Sequence, residues 1–288
     1  MVYYLSVITA TVLLAIEFSC SKLYQSLESI SLEKGLQFNT VSGLVSALIM
    51  WALAGFRLEW SGFSALLALG MALCSMLYCL LSFRILNLGG MALYSLALMS
   101  GGMLLPYIFG IVFLNETVSL PGFLGLIAVL AAVILSNFNR RKISKTLLLL
   151  CTAVFLLNGF CSILSKAHQI SRISSTVSSA GFVMYSGIAK CLLSVIVLLC
   201  RKRSSFSWPK HKYTLLLTVG AAVISAASYL LQLNGAKVLP ASVLYPMITG
   251  GSIVFSAIAG RVFFKERLSL RQILCILLCI FGTWMLVI

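Results

Sequence analysis

The sequence predicts an all-α integral membrane protein: ten transmembrane helices in two inverted five-helix repeats. Three observations predict it. The chain is 61% hydrophobic and only 9% charged, where a soluble domain carries about a quarter charged residues. Its apolar runs are long enough to cross a bilayer, which takes roughly 20 residues. Its two halves also match at a fixed spacing. Gly110-Ile-Val-Phe-Leu-Asn-Glu116-Thr-Val-Ser119-Leu120 aligns without a gap on Gly260-Arg-Val-Phe-Phe-Lys-Glu266-Arg-Leu-Ser269-Leu270, 150 residues later, and Gly101 falls on Gly251.

The spans are expected near 2–26, 35–55, 62–83, 88–113, 119–137, 146–167, 176–200, 213–234, 238–262 and 269–287. Span 1 is kept as a span, because residues 1–16 carry no basic leader region and no small-residue cleavage site. Spans 2 and 7 pair at an offset of 144, with Phe38 on Phe182 and Ser42-Gly43 on Ser186-Gly187. Spans 4 and 9 carry small groups every four residues: Gly102, Pro106 and Gly110, then Ser252, Ser256 and Gly260. One helix face of small residues lets backbones approach closely, either as static packing or as a sliding contact. Span 5 ends at the joint near Asn137–Lys145, which separates repeat 1–138 from repeat 145–288. Five spans per repeat is an odd number, so the second copy enters from the opposite face, as in many secondary transporters.

Net charge is +15, but its distribution argues against nucleic acid. The positives sit at helix ends: Arg140, Arg141, Lys142 and Lys145; Arg201, Lys202, Arg203, Lys210 and Lys212; Arg261, Lys265, Arg267 and Arg271. All three connections lie on the face opposite the termini. The other face has little beyond Arg57, Arg172 and Lys237. The positive-inside rule makes the rich face cytoplasmic and puts both termini outside. The nine cysteines fall in or at the ends of spans with no CxxC pair, so they read as small apolar filler rather than a disulfide or metal framework. No cofactor is expected. There is no HExxH, no nucleophile–base pair and no Asp at all, so an enzyme is not expected.

Specific residues carry a family resemblance. The second half has Tyr245-Pro246, Gly260, Phe263-Phe264, Glu266 and Leu268-Ser269, with Gly282 in the last helix. The first has Gly110, Phe113-Leu114, Glu116, Val118-Ser119 and Gly125. This pattern resembles the drug/metabolite transporter superfamily, in particular its ten-span EamA-type members. Leu96 stands where a second proline would fall, with Pro106 further along, and Cys275 replaces the counterpart of Gly125. The resemblance implies a ten-helix bundle around a cavity lined by spans 1, 3, 4, 6, 8 and 9. It also implies export or exchange of small metabolites across a cell (inner) membrane. Lys22 matches a lysine at the end of the family's first helix, and Lys166 is its repeat counterpart.

Ionisable groups inside spans need a reason, since each costs roughly 3 kcal/mol at mid-depth. Glu17 lies about 22 Å into span 1 and Lys190 about 18 Å into span 7 from the same face, at about 1.5 Å per residue. Three readings stay open: a structural Glu17–Lys190 pair, Glu17 taking a substrate amine or a proton, and Lys190 or Lys22 meeting a substrate carboxylate or phosphate. The other binding candidates are Tyr78, Tyr94, Asn158, Tyr229, Gln232, Tyr245 and Thr249, polar or aromatic groups on cavity spans. Glu116 and Glu266, in short turns at opposite faces, read as structural or gating, together with Gly110, Gly260, Pro106 and Pro246. Lys22 and Lys166 are expected to snorkel to the interface, and His168 and His211 to be solvated. The partners expected are a small-molecule solute, protons and the bilayer. The function expected is alternating-access transport, in the export direction, of an amino-acid-like or amine-bearing metabolite. Proton-coupled export of hydrophobic cations and a non-transporting membrane scaffold are the alternatives.

Overall fold

A computed structural model describes residues 2–27, 31–88, 91–137, 144–171, 176–200, 212–265 and 269–288. Among these residues there are ten helices and no strand. They are α1 (Val2–Leu27), α2 (Leu32–Leu53), α3 (Gly62–Asn87), α4 (Met91–Leu114), α5 (Leu120–Asn137), α6 (Lys145–Ile170), α7 (Ser179–Cys200), α8 (Lys212–Val238), α9 (Ala241–Phe264) and α10 (Leu270–Met285). Eight are long and apolar enough to cross a membrane; the apolar α5 and α10 are shorter. Serines start several of them. Ser31 and Ser144 accept from the backbone N–H three residues on, and Ser269 forms a capping box with Gln272. These caps satisfy donors that a helix cannot satisfy itself.

The outward faces carry exposed Leu66, Leu148, Leu192, Leu216 and Leu277, as hydrocarbon solvent allows. The inward packing runs mainly between the halves. α1 lies on α8 and α9, and its repeat counterpart α6 lies on α3 and α4. α2 packs on α7, α5 on α10 and α4 on α9, each pair joining equivalent helices.

Glycines show how close these crossings are. A Cβ on Gly43 would stand 2.7 Å from the Gly187 carbonyl oxygen, and a Cβ on Gly187 would stand 2.7 Å from that of Gly43. Gly125 and Gly282 oppose each other in the same way, at 2.6 and 2.8 Å. Near-contact of backbones replaces the hydrophobic drive that lipid tails remove. Gly101 faces Phe155, and Gly251 faces Thr11; these contacts map onto one another through the offsets of 150 and 144. The ends of α4 and α9 also correspond. Asn115 and Lys265 both take the left-handed conformation, each at φ 52°. Glu116 N–H then donates to the Gly110 carbonyl at 3.1 Å, which turns the chain sharply after the helix. Pro106 and Pro246 are buried inside continuous helices.

Candidate functional site

A cavity of about 380 Å³ opens between the helices, within the size range of small-ligand sites. Its wall comes from α2, α3, α6, α7, α8 and α9. The expected set of spans 1, 3, 4, 6, 8 and 9 is therefore corrected: α2 and α7 replace α1 and α4. The Gly43–Gly187 crossing draws α2 and α7 together at the centre, while α1 and α4 are taken up by α8, α9 and α6.

Five of the expected binding residues reach the wall: Tyr78, Lys190, Tyr229, Gln232 and Tyr245. Two tyrosines are held firmly. Tyr229 Oη bonds Ser165 Oγ at 2.7 Å and lies 3.2 Å from Met71 Sδ. Tyr245 Oη donates to the Ser162 carbonyl at 2.6 Å. Their rings are thereby fixed as rigid apolar surface. Gln232 donates to Ser228 Oγ at 3.1 Å. Lys190 Nζ donates to Ser42 Oγ at 3.1 Å.

Four expected residues stand elsewhere. Asn158 donates to the Leu98 carbonyl at 2.7 Å and sits against Gly102, pinning α6 to α4. Tyr94 packs in an apolar cluster with Ile85, Ala97 and Val154. Thr249 is buried off the wall. Glu17 is not a wall residue either. Its carboxylate stands within reach of Ser225, which is one, and in the field of Lys190. No direct ion pair joins Glu17 to Lys190 among the described residues; the ammonium goes to Ser42 instead.

Sequence reasoning missed Asn39, Ser42 and Ser46 on α2. A signal was present, because Ser46 is the repeat counterpart of Lys190, and Cys161 that of Glu17, at the offset of 144. Both charges thus break the repeat, each facing a neutral partner position.

The end of the bundle that carries the termini is tied by polar contacts. Glu116 accepts from Ala241 N–H at 2.7 Å, Ser242 N–H at 2.9 Å and Ser242 Oγ at 2.7 Å. It therefore caps α9, a helix of the other half, rather than its own α5. Gly110 leaves room for this, since a Cβ there would meet the Glu116 carboxylate at 2.5 Å. Lys166 does not snorkel. It is 3% exposed and donates to the carbonyls of Ala236 and Leu239, at 2.8 and 2.6 Å. An ammonium at a helix C-terminus satisfies carbonyls that have no helical partner. His168 is not solvated: it stacks on Phe182 and its ring nitrogens contact Ser64 Oγ and Gln169 Nε2, each at 2.9 Å. Glu59, from the α2–α3 connection, accepts from Ser178 N–H at the start of α7. Lys22 lies over the Phe264 ring at 4.4 Å. Gly260 is buried beneath the left-handed turn at Lys265. Glu266, Arg267, His211 and the loop positives at 140–142, 172, 201–203 and 210 lie outside the described residues.

Residues 144–288 match the sequence model of a family described as the EamA-like transporter family. No curated protein matches the chain. A solved structure, described only as "Crystal structure of protein", superposes with a TM-score of 0.75 at 17% identity, covering 99% of this chain and 94% of that one. At that identity the likeness speaks for the fold alone.

Proposed function

The chain belongs to the EamA-like transporter family, and on that premise we propose that it moves a small amino-acid-like or amine-bearing metabolite through the central cavity. The family makes it a membrane transporter of the drug/metabolite type. One observation carries the finer reading: a cavity of about 380 Å³ whose wall combines fixed tyrosine rings with a charged group, Lys190. An apolar wall with a few placed polar groups is how proteins hold small polar organic molecules. Glu17, behind Ser225, is the group proposed to take the substrate amine or a proton as α1 shifts. The repeats 1–138 and 145–288 are proposed to support alternating access about this site, in the direction of export, with each moving bundle drawing helices from both repeats because they interleave. The membrane is the cell (inner) membrane, with both termini outside.

The test is solid-supported-membrane current from proteoliposomes, over amino acids, polyamines and organic cations, with Glu17→Gln alongside. The expected result is current with amino-acid-like solutes that falls at least tenfold in the variant. Current only with pure cations would replace this reading by organic-cation export. Silence, together with no counterflow of radiolabelled amino acids, would make the protein a scaffold.

A further inference from the structure

The charged side chain on the cavity wall is a cation, and the polar groups beside it are only weakly engaged. Lys190 is near the middle of α7, and an ammonium offers three N–H donors. Only one has a partner among the described residues, Ser42 Oγ. Because Ser42 accepts there, its own O–H remains available. Asn39, one turn before Ser42 on α2, gives one amide N–H to Cys79 Sγ at 3.8 Å, a weak contact. Ser46, one turn after, reaches the Ala222 carbonyl only at 3.5 Å. Asn39, Ser46 and Lys190 all line the cavity. Residues three to four apart share a helix face, so α2 sets Asn39 and Ser46 on the wall either side of Ser42, which is buried just behind it and holds the ammonium. The opposite charge, Glu17, stands behind Ser225 and off the wall. A wall whose charged group is an ammonium with N–H donors to spare suits an oxyanion and repels a bare cation.

We propose that this cluster is a carboxylate seat: Lys190 with Ser42, Asn39 and Ser46 holds the acid group of the transported molecule. The proposal rests on the transport reading above and narrows it to carboxylate-bearing solutes. The acid group sits at the α2–α7 crossing. The remainder of the molecule lies toward Met71, Tyr229 and Tyr245, with an amine directed to the Ser225 side. Gly43 lies between Ser42 and Ser46 in sequence and makes the backbone contact with Gly187, so the seat is built on a closely packed crossing of α2 and α7. A zwitterion satisfies both charges, and a plain organic cation satisfies neither Lys190 nor its neighbours.

The test is thermal-shift titration of the purified full chain in detergent with matched compounds. One series is phenylalanine, phenethylamine, 3-phenylpropionate and 2-phenylethylphosphonate. A second is leucine, isoamylamine and 4-methylpentanoate. The expected result is that a carboxylate raises Tm where its matched amine does not. Lys190→Met should weaken that binding at least tenfold, Lys190→Arg should retain part of it, and Ser42→Ala should cost several-fold. If Lys190→Met does not purify as a folded species, the Lys190→Arg and Ser42→Ala titrations decide. The assignment is overturned if the amines bind better, if only the phosphonate binds, if no carboxylate binds, or if the variants bind like the parent. Transport is measured separately in proteoliposomes. Binding without transport would sink the transport reading and leave the seat standing. Transport of amines that lack an acid group would sink the seat and leave transport standing.

Discussion

Single residues here act mainly by being small. A methyl on Gly43 would press on the Gly187 carbonyl oxygen at 2.7 Å and on the Cys191 nitrogen at 3.0 Å. Both are backbone atoms, so the helices themselves must move apart. Overpacking of this kind costs about 1–3 kcal/mol, and Gly43→Ala should lower the detergent Tm by several degrees. Gly220, also inside a helix, has nothing within 4 Å of the same methyl. There alanine gains helix propensity, about 1 kcal/mol over glycine, so Gly220→Ala should leave Tm unchanged or raise it. Equal losses at both positions, read by thermal denaturation, would show that the α2–α7 contact is not what Gly43 serves. The motif Ser42-Gly43 was legible because it recurs as Ser186-Gly187. The burial of Lys166 and His168 was not. Sequence gives depth along a helix but not which neighbour meets each side, and here both found a helix end or a stacked ring instead of water.

At the scale of elements, the termini-side ends of α8 and α9 are held from two directions. Lys166 takes the carbonyl end of α8, and Glu116 takes the N–H end of α9. Each charge meets the helix end of opposite sign. Glu116 comes from the first half, so its three bonds cross between repeats. Hydrogen bonds to a charged group contribute about 1.5–3 kcal/mol. Glu116→Gln keeps the shape but turns an amide NH2 toward N–H donors, and it should lose about that much. Ser242→Ala removes one bond of the three and should lose less. If this contact also keeps that end closed, a cysteine at Ser242 should react faster with a membrane-impermeant maleimide added on the side of the termini when Glu116 is Gln. Unchanged labelling with a lowered Tm would leave the contact purely structural. The Glu was legible as a structural residue in a turn at a helix end, but the helix it caps, α9 of the other half, was not. A sequence match places a residue in its own turn, whereas this contact depends on how two distant turns meet.

At the scale of the molecule, the repeat is visible in the chain but the halves do not pack as separate bodies. α1 rests on α8 and α9, α6 on α3 and α4, and α2 on α7. The largest buried cluster mixes Val7, Met103 and Val129 with Leu239, Leu244 and Met247. The spans were readable because a bilayer fixes their length and composition. The cavity wall was not, because ten helices of similar composition can be arranged around an axis in many orders. Interleaving has a direct consequence. A half expressed alone would expose the small-residue faces of α2, α4 and α5 that the other half covers. Without lipid-excluding partners, those faces give no stable unit. Fragments 1–143 and 144–288, expressed singly, should therefore aggregate or be degraded. Co-expressed, they should purify together through a tag on either one, with a Tm within several degrees of the intact chain. A single half that is monodisperse in detergent and melts cooperatively would show that the repeats fold as domains first, and that the crossings at Gly43–Gly187 and Gly125–Gly282 are docking contacts rather than core.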